Sequence, residues 1–84
     1  MAQPHKTLEK LLAGAKTLRF AEFEALLDAC GFELKRTRGS HRIYTHPRAD
    51  RPLSVQPRDG EAKRYQLRQF LDMLEEFGIS LDKG

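Results

Sequence analysis

Tryptophan is absent from this chain, cysteine occurs once, and no apolar run is long enough to cross a membrane. The single thiol, Cys30, excludes an internal disulfide and fits a reducing compartment. No segment shows the charged, apolar and small-residue zones of a signal peptide, so the expectation is a soluble cytoplasmic protein. There is no low-complexity run, no internal repeat, no phosphate-binding glycine loop and no Ser-His-Asp constellation. At 84 residues the chain reads as a single domain, 1–84, in which 1–18 form an extension carrying a short helix. The most telling shortage is local. From Arg36 to His46 there is no acid at all.

What is present is positive charge, unevenly spread. Between Lys35 and Arg68 there are ten Lys or Arg and three acids, a net charge of +7. The remainder holds five bases and nine acids, a net −4, so the formal +3 conceals a basic centre on an acidic frame. A field of that kind favours nucleic acid or an acidic protein partner.

Apolar spacing sets the expected elements. Leu8, Leu11 and Leu12 predict a short helix over 5–13, ending near Gly14. Phe20, Phe23, Leu26, Leu27 and Cys30 form one stripe of a helix over 20–30, with Gly31 as its left-handed stop. The period then changes to two. Phe32 and Leu34 open a strand to about Arg38, Gly39-Ser40 make a tight turn, and 41–46 return as a second strand. Leu53 and Val55 mark a third strand, stopped by Pro57. A loop over 58–62 leads into a last helix over 63–77, whose stripe is Leu67, Phe70, Leu71, Leu74 and Phe77, capped by Gly78. Connections this short make the sheet antiparallel. Ile43 and Tyr44 cannot both face the core, and Ile43 is taken as the inward one, with His41 on its face.

The first hairpin carries the chemistry. Arg36, Arg38 and Arg42 surround His41 beside the turn, an arrangement that a sheet does not need. Guanidinium groups suit phosphate oxygens, and an imidazole among them is a credible acid/base group. Gly39 gives a substrate backbone room to approach. Lys63, Arg64 and Arg68 open the last helix, where cations and backbone N–H groups together suit a phosphate. His46, before Pro47, reads as a loop histidine. It makes a poor metal pair with His41, because strand residues five apart face opposite ways, and no cysteine or acid completes a site. Tyr44 is either a base-stacking aromatic or a half-buried sheet residue.

Helix, three antiparallel strands and helix is also the plan of a double-stranded RNA-binding domain, giving an expected α+β fold with the sheet packed on helices. The residues narrow this further. Gly31-Phe32, Arg36-x-x-Gly39-Ser40-His41 followed by Ile43-Tyr44, Leu53-x-Val55-x-Pro57 and the closing Phe77-Gly78-Ile79 resemble the HicA (YcfA-like) toxin family over about 20–81. That resemblance implies a small toxin of a type II toxin–antitoxin system, an endoribonuclease that cuts mRNA without a metal and is silenced by a HicB-like antitoxin. The family's catalytic histidine corresponds to His41. Many members have His-His after Gly-Ser where this chain has His41-Arg42, and some carry a histidine where Arg58 stands.

The expected site is therefore His41 as acid/base, with Arg36, Arg38, Gly39, Ser40, Arg42, Arg58, Lys63, Arg64 and Arg68 around the RNA phosphates. No metal, small-molecule cofactor or membrane is expected. The alternative is a non-catalytic RNA-binding module of the same fold.

Overall fold

A computed structural model describes residues 3–81; the first two and last three residues of the expected domain lie outside it. Its helices are α1 (Pro4–Leu12), α2 (Phe20–Ala29) and α3 (Arg64–Phe77). The strands are β1 (Leu18–Arg19), β2 (Glu33–Arg38), β3 (His41–Thr45), β4 (Leu53–Val55) and β5 (Glu61–Ala62). Strands β2, β3 and β4 form an antiparallel sheet in that order, with β3 central. This is the expected α+β arrangement, and each helix begins or ends within a residue or two of its apolar stripe.

Two glycines end helices as the sequence requires. Gly31 has φ +95°, its N–H bonds the Asp28 carbonyl, and the Phe32 N–H bonds the Leu27 carbonyl. Gly78 has φ +63°, and the Ile79 N–H reaches back to Leu74. Both pairings satisfy helix carbonyls that would otherwise be orphaned. The chain then turns into the sheet with Phe32 and Ile79 both buried.

The core lies between the helices and one face of the sheet. Phe23, Leu26, Leu27, Phe32, Phe70, Leu67 and Val55 are the largest of its fully enclosed apolar side chains. Phe70 meets Phe23 edge-on at 5.6 Å between centroids and Phe32 at 6.0 Å. Such pairs add about 0.5–1.5 kcal/mol each beyond burial.

Two expectations are corrected and one strand residue is newly placed. Tyr44, not Ile43, points inward: its side chain is buried over α2, while Ile43 is only half-buried on the opposite face. The reason is a polar partner beneath β3, the Glu24 carboxylate, which accepts a 2.7 Å bond from the Tyr44 hydroxyl. Leu34, newly placed, does not join the core. It is 48 % exposed, because β2 is an edge strand exposed along its whole length. Second, the loop over 58–62 and the connector before α2 pair as strands. Leu18 opposes Ala62 and Arg19 opposes Glu61, while Arg58 and Glu61 close a two-residue turn through Asp59 and Gly60. Both turn residues have positive φ, 55° and 75°, as the twist of a tight hairpin demands.

Candidate active site

Strand register decides which side chains meet. Arg38 lies opposite His41, Thr37 opposite Arg42, and Arg36 opposite Ile43, with Lys35 as the extra residue of a bulge. Directly opposed residues share a face, with Cβ atoms about 4.5–5.5 Å apart. His41, Arg38, Arg36 and Ile43 therefore stand together on the face turned away from the helices. On β4, Ser54 opposes Ile43 and so joins the same face. His41 and both arginines are exposed, and neither Arg36 nor Arg38 has an acidic partner among the described residues.

The turn that presents His41 is built for close approach. Gly39 has φ +60°, the first-position glycine of a two-residue hairpin, and a Cβ there would meet nothing within 4 Å. Ser40 hangs beside the end of β4, its hydroxyl 3.4 Å from Gln56 Oε1. Gln56 is in turn fixed from α3. Its N–H donates to Gln66 Oε1 at 2.9 Å, and its carbonyl accepts from Gln66 Nε2 at 3.0 Å. The Gln66 amide, only 1 % exposed, thus takes the place of a neighbouring strand and ties the start of α3 to the His41 end of the sheet. Sequence spacing marks Gln66 only as a polar residue beside a helical stripe, so this role was not legible there.

Arg42 stands on the other face. Its Nη1 donates to both oxygens of Glu24 at 2.6 and 2.7 Å, and its guanidinium lies 5.4 Å from the centre of the Phe20 ring. The structure does not bring it to His41. The hydrogen bond donated to Glu24, then that carboxylate's charge, strengthens Arg42's hold on its proton. Burial, then the same carboxylate, pushes the Tyr44 phenol well up from its ordinary range. Tyr44 is consequently a sheet-to-helix fastening rather than a base-stacking surface.

The remaining cations are dispersed. Arg58 is exposed at the β5 hairpin. Lys63 is paired with Glu61 at 2.9 Å. Arg64 and Arg68 line a shallow groove of about 140 Å³ with Leu11, Gly14 and Ala15, on the α1 flank of α3. Strand register groups His41 with Arg36 and Arg38 beside the Gly39-Ser40 turn, while Arg64 and Arg68 line the groove against α1.

His46 is structural. Its Nε2 donates to the Cys30 carbonyl at 2.9 Å, and its Nδ1 accepts the Arg48 N–H at 3.0 Å, so both nitrogens are occupied and the tautomer is defined. Its ring meets Phe32 edge-on at 5.0 Å. Together these contacts lock the end of α2. Burial pushes the neighbouring Cys30 thiol up to about 11, against a nucleophilic role. Among the described residues, no three His, Cys, Asp or Glu side chains gather as a metal site, and no helix is long and apolar enough to cross a membrane.

One comparison with known proteins bears on this arrangement. The family model of the HicA toxin of bacterial toxin–antitoxin pairs matches residues 20–79. The chain belongs to the HicA toxin family. The HicA match takes in α2, the three-stranded sheet, β5 and α3, and leaves α1 and β1 outside it. No curated protein and no solved structure gives a significant match. As a HicA-family chain, this protein is a toxin of a toxin–antitoxin pair.

Proposed function

We propose that this toxin is a metal-independent endoribonuclease that cuts mRNA in the cytoplasm, with His41 as its acid/base group. One observation carries the reading: an exposed imidazole sits directly opposite Arg38, with Arg36 on the next pair of the same uncovered sheet face. Cutting RNA without a metal uses the ribose 2′ oxygen as nucleophile. It attacks the adjacent phosphorus, the bond to the 5′ oxygen breaks, and negative charge builds on the phosphoryl oxygens between those events. His41 accepts the 2′ proton and, as imidazolium, hands it to the departing 5′ oxygen, leaving a 2′,3′-cyclic phosphate on one fragment and a 5′ hydroxyl on the other. Arg36 and Arg38 hold the phosphate and offset the growing charge, as guanidinium forks do for such oxygens. Gly39 lets the ribose–phosphate backbone reach the ring. Arg42 belongs to the fastening beneath β3 and has no part in this chemistry.

The test is RNA cleavage in EDTA by wild type and His41→Ala. General acid/base catalysis is worth about 10²–10⁴-fold, so the variant should lose at least about 100-fold in rate. Its melting point should hold, because the ring is exposed and has no side-chain partner among the described residues. RNA binding should persist and weaken steeply with salt. A His41→Ala chain that cuts as fast as wild type refutes the mechanism. Salt-sensitive binding by a wild type that never cuts would leave the RNA-binding module, a reading favoured by the presence of only one imidazole on the open face.

A further inference from the structure

The two edges of the sheet are not equivalent. Gln56 gives its backbone N–H and carbonyl to Gln66, so both point away from β3. Alternation along an antiparallel ladder then fixes the rest. Leu53 and Val55 bond to β3, Arg42 and Tyr44 bond back to β4, and His41, Ile43 and Thr45 bond to β2. Their β2 partners are Arg38, Arg36 and Glu33. The N–H and carbonyl groups of Leu34 and Thr37 are left pointing outward from β2.

The β4 edge is largely closed, because Pro52 has no N–H to offer and the Gln66 amide fills the place beside Gln56. The β2 edge is open. All six residues of β2 are exposed, β3 is its single bonded neighbour among the described residues, and Leu34 presents an apolar side chain to solvent. An open edge of this kind is a template for another strand. Its charge selects what can pair there. Lys35, Arg36 and Arg38 stand against Glu33 alone, a net +2. Two copies joined edge to edge would oppose like charges, which is destabilising, and the bulge at Lys35 further discourages self-pairing.

We infer that β2 is the docking edge for the antitoxin, which adds an acid-bearing strand along Glu33–Arg38. This rests on the toxin–antitoxin pairing of the family. Main-chain bonds to Leu34 and Thr37 supply the affinity of such an addition, and alternate side chains supply the choice of partner. Acids on the open face pair with Arg36 and Arg38, and an apolar residue on the other face covers Leu34. Strands lie about 4.8 Å apart, so the added strand comes within about 10 Å of the strand bearing His41. It silences the site by taking both phosphate-binding arginines, without covering the imidazole itself.

The experiment uses the full chain and the protein encoded beside it as antitoxin. Amide exchange followed by NMR should show Leu34 and Thr37 slowed at least about tenfold in the complex. Thr37→Pro removes an outward N–H while keeping the β2–β3 ladder, and Leu34→Glu sets an acid against an acidic strand. Each should weaken the complex at least about tenfold and leave RNA cleavage unchanged. Ser54→Pro, at the outward position of β4, should bind as wild type. A complex that leaves the Leu34 and Thr37 amides unprotected overturns the edge assignment while the pairing stands. Failure of the wild-type chain to form any complex overturns the pairing and the edge with it. Protection of the same amides in an antitoxin-free dimer would assign the edge to a second copy and overturn the proposal.

Discussion

Replacing Glu24 with alanine isolates what holds the sheet to α2. The carboxylate accepts two bonds from Arg42 Nη1, at 2.6 and 2.7 Å, and one from the Tyr44 hydroxyl at 2.7 Å. Tyr44 is buried at 6 % exposure, so its hydroxyl would lose its partner with little water to replace it. That orphaning costs about 1–3 kcal/mol. The Arg42 side chain is 38 % exposed and rehydrates, so its lost pairing adds only about 0–1 kcal/mol. The expected total is about 1–4 kcal/mol, centred on about 2–3. In a domain of this size, each kcal/mol moves the melting point by about 4–8 °C, giving a fall of roughly 10–20 °C. Urea unfolding gives the free energy directly, provided the slope is unchanged. A double-mutant cycle with Tyr44→Phe then tests the cause. Removing the hydroxyl should cost stability in wild type and almost none once Glu24 is gone. A Glu24→Ala loss below about 0.5 kcal/mol, or strict additivity with Tyr44→Phe, would refute the reasoning.

Gly31→Ala should cost about 2–3 kcal/mol in the same assay: φ is +95°, and the new Cβ would lie 3.0 Å from His46 Nε2, disturbing its bond to Cys30. Gly14→Ala has positive φ but meets nothing within 4 Å, so an equal loss there would show that the His46 contact adds nothing. Gln66→Ala should cost about 2–3 kcal/mol by stripping both bonds from the Gln56 backbone, and Gln66→Glu should not restore it, since a carboxylate cannot donate to the carbonyl. Cys30 gives an alkaline signature. Its folded pKa is raised from 9.0 to about 11, so its contribution is intact below about pH 9 and is lost as pH rises through 11. Wild type should therefore lose more stability than Cys30→Ala over that window, by up to about 2–3 kcal/mol; parallel curves would contradict this.

Most of the architecture was legible because each element carries its own local signal. The stripe from Phe20 to Cys30 and the stop at Gly31 need no tertiary information, and the Gly39-Ser40 turn fixes the hairpin register. The inward face of β3 was not legible, because a buried tyrosine needs a polar partner and Glu24 lies twenty residues earlier on a different element. Apolarity alone favoured Ile43. The exposure of Leu34 was hidden for a similar reason. Period-two alternation shows that a strand has two faces but not whether any helix reaches far enough to cover one. The short β1–β5 ladder is two residues long, below what periodicity can register. As for the candidate site, sequence adjacency suggested that Arg42 and His41 act together. Strand geometry separates them, while cross-strand register brings in Arg36 and Arg38 instead.

That separation changes how the replacement of the family's second histidine should be weighed. In Gly-Ser-His-x, consecutive residues of β3 must point to opposite faces, so whatever follows His41 points towards α2. A histidine there would lie against Glu24 and Phe20, away from the face that bears His41. Arg42 in that place therefore removes no acid or base from the open face, and its Nη1 spans both oxygens of Glu24. Alternation divides β3 between two tasks: Arg42 and Tyr44 anchor the strand from beneath, while His41 is presented from above on the strand thus anchored. On the proposed mechanism, RNA cleavage should therefore depend on Arg42 through the stability and position of β3, with Arg42→Lys, which keeps the charge but loses the guanidinium plane over Phe20, impairing folding before it impairs chemistry.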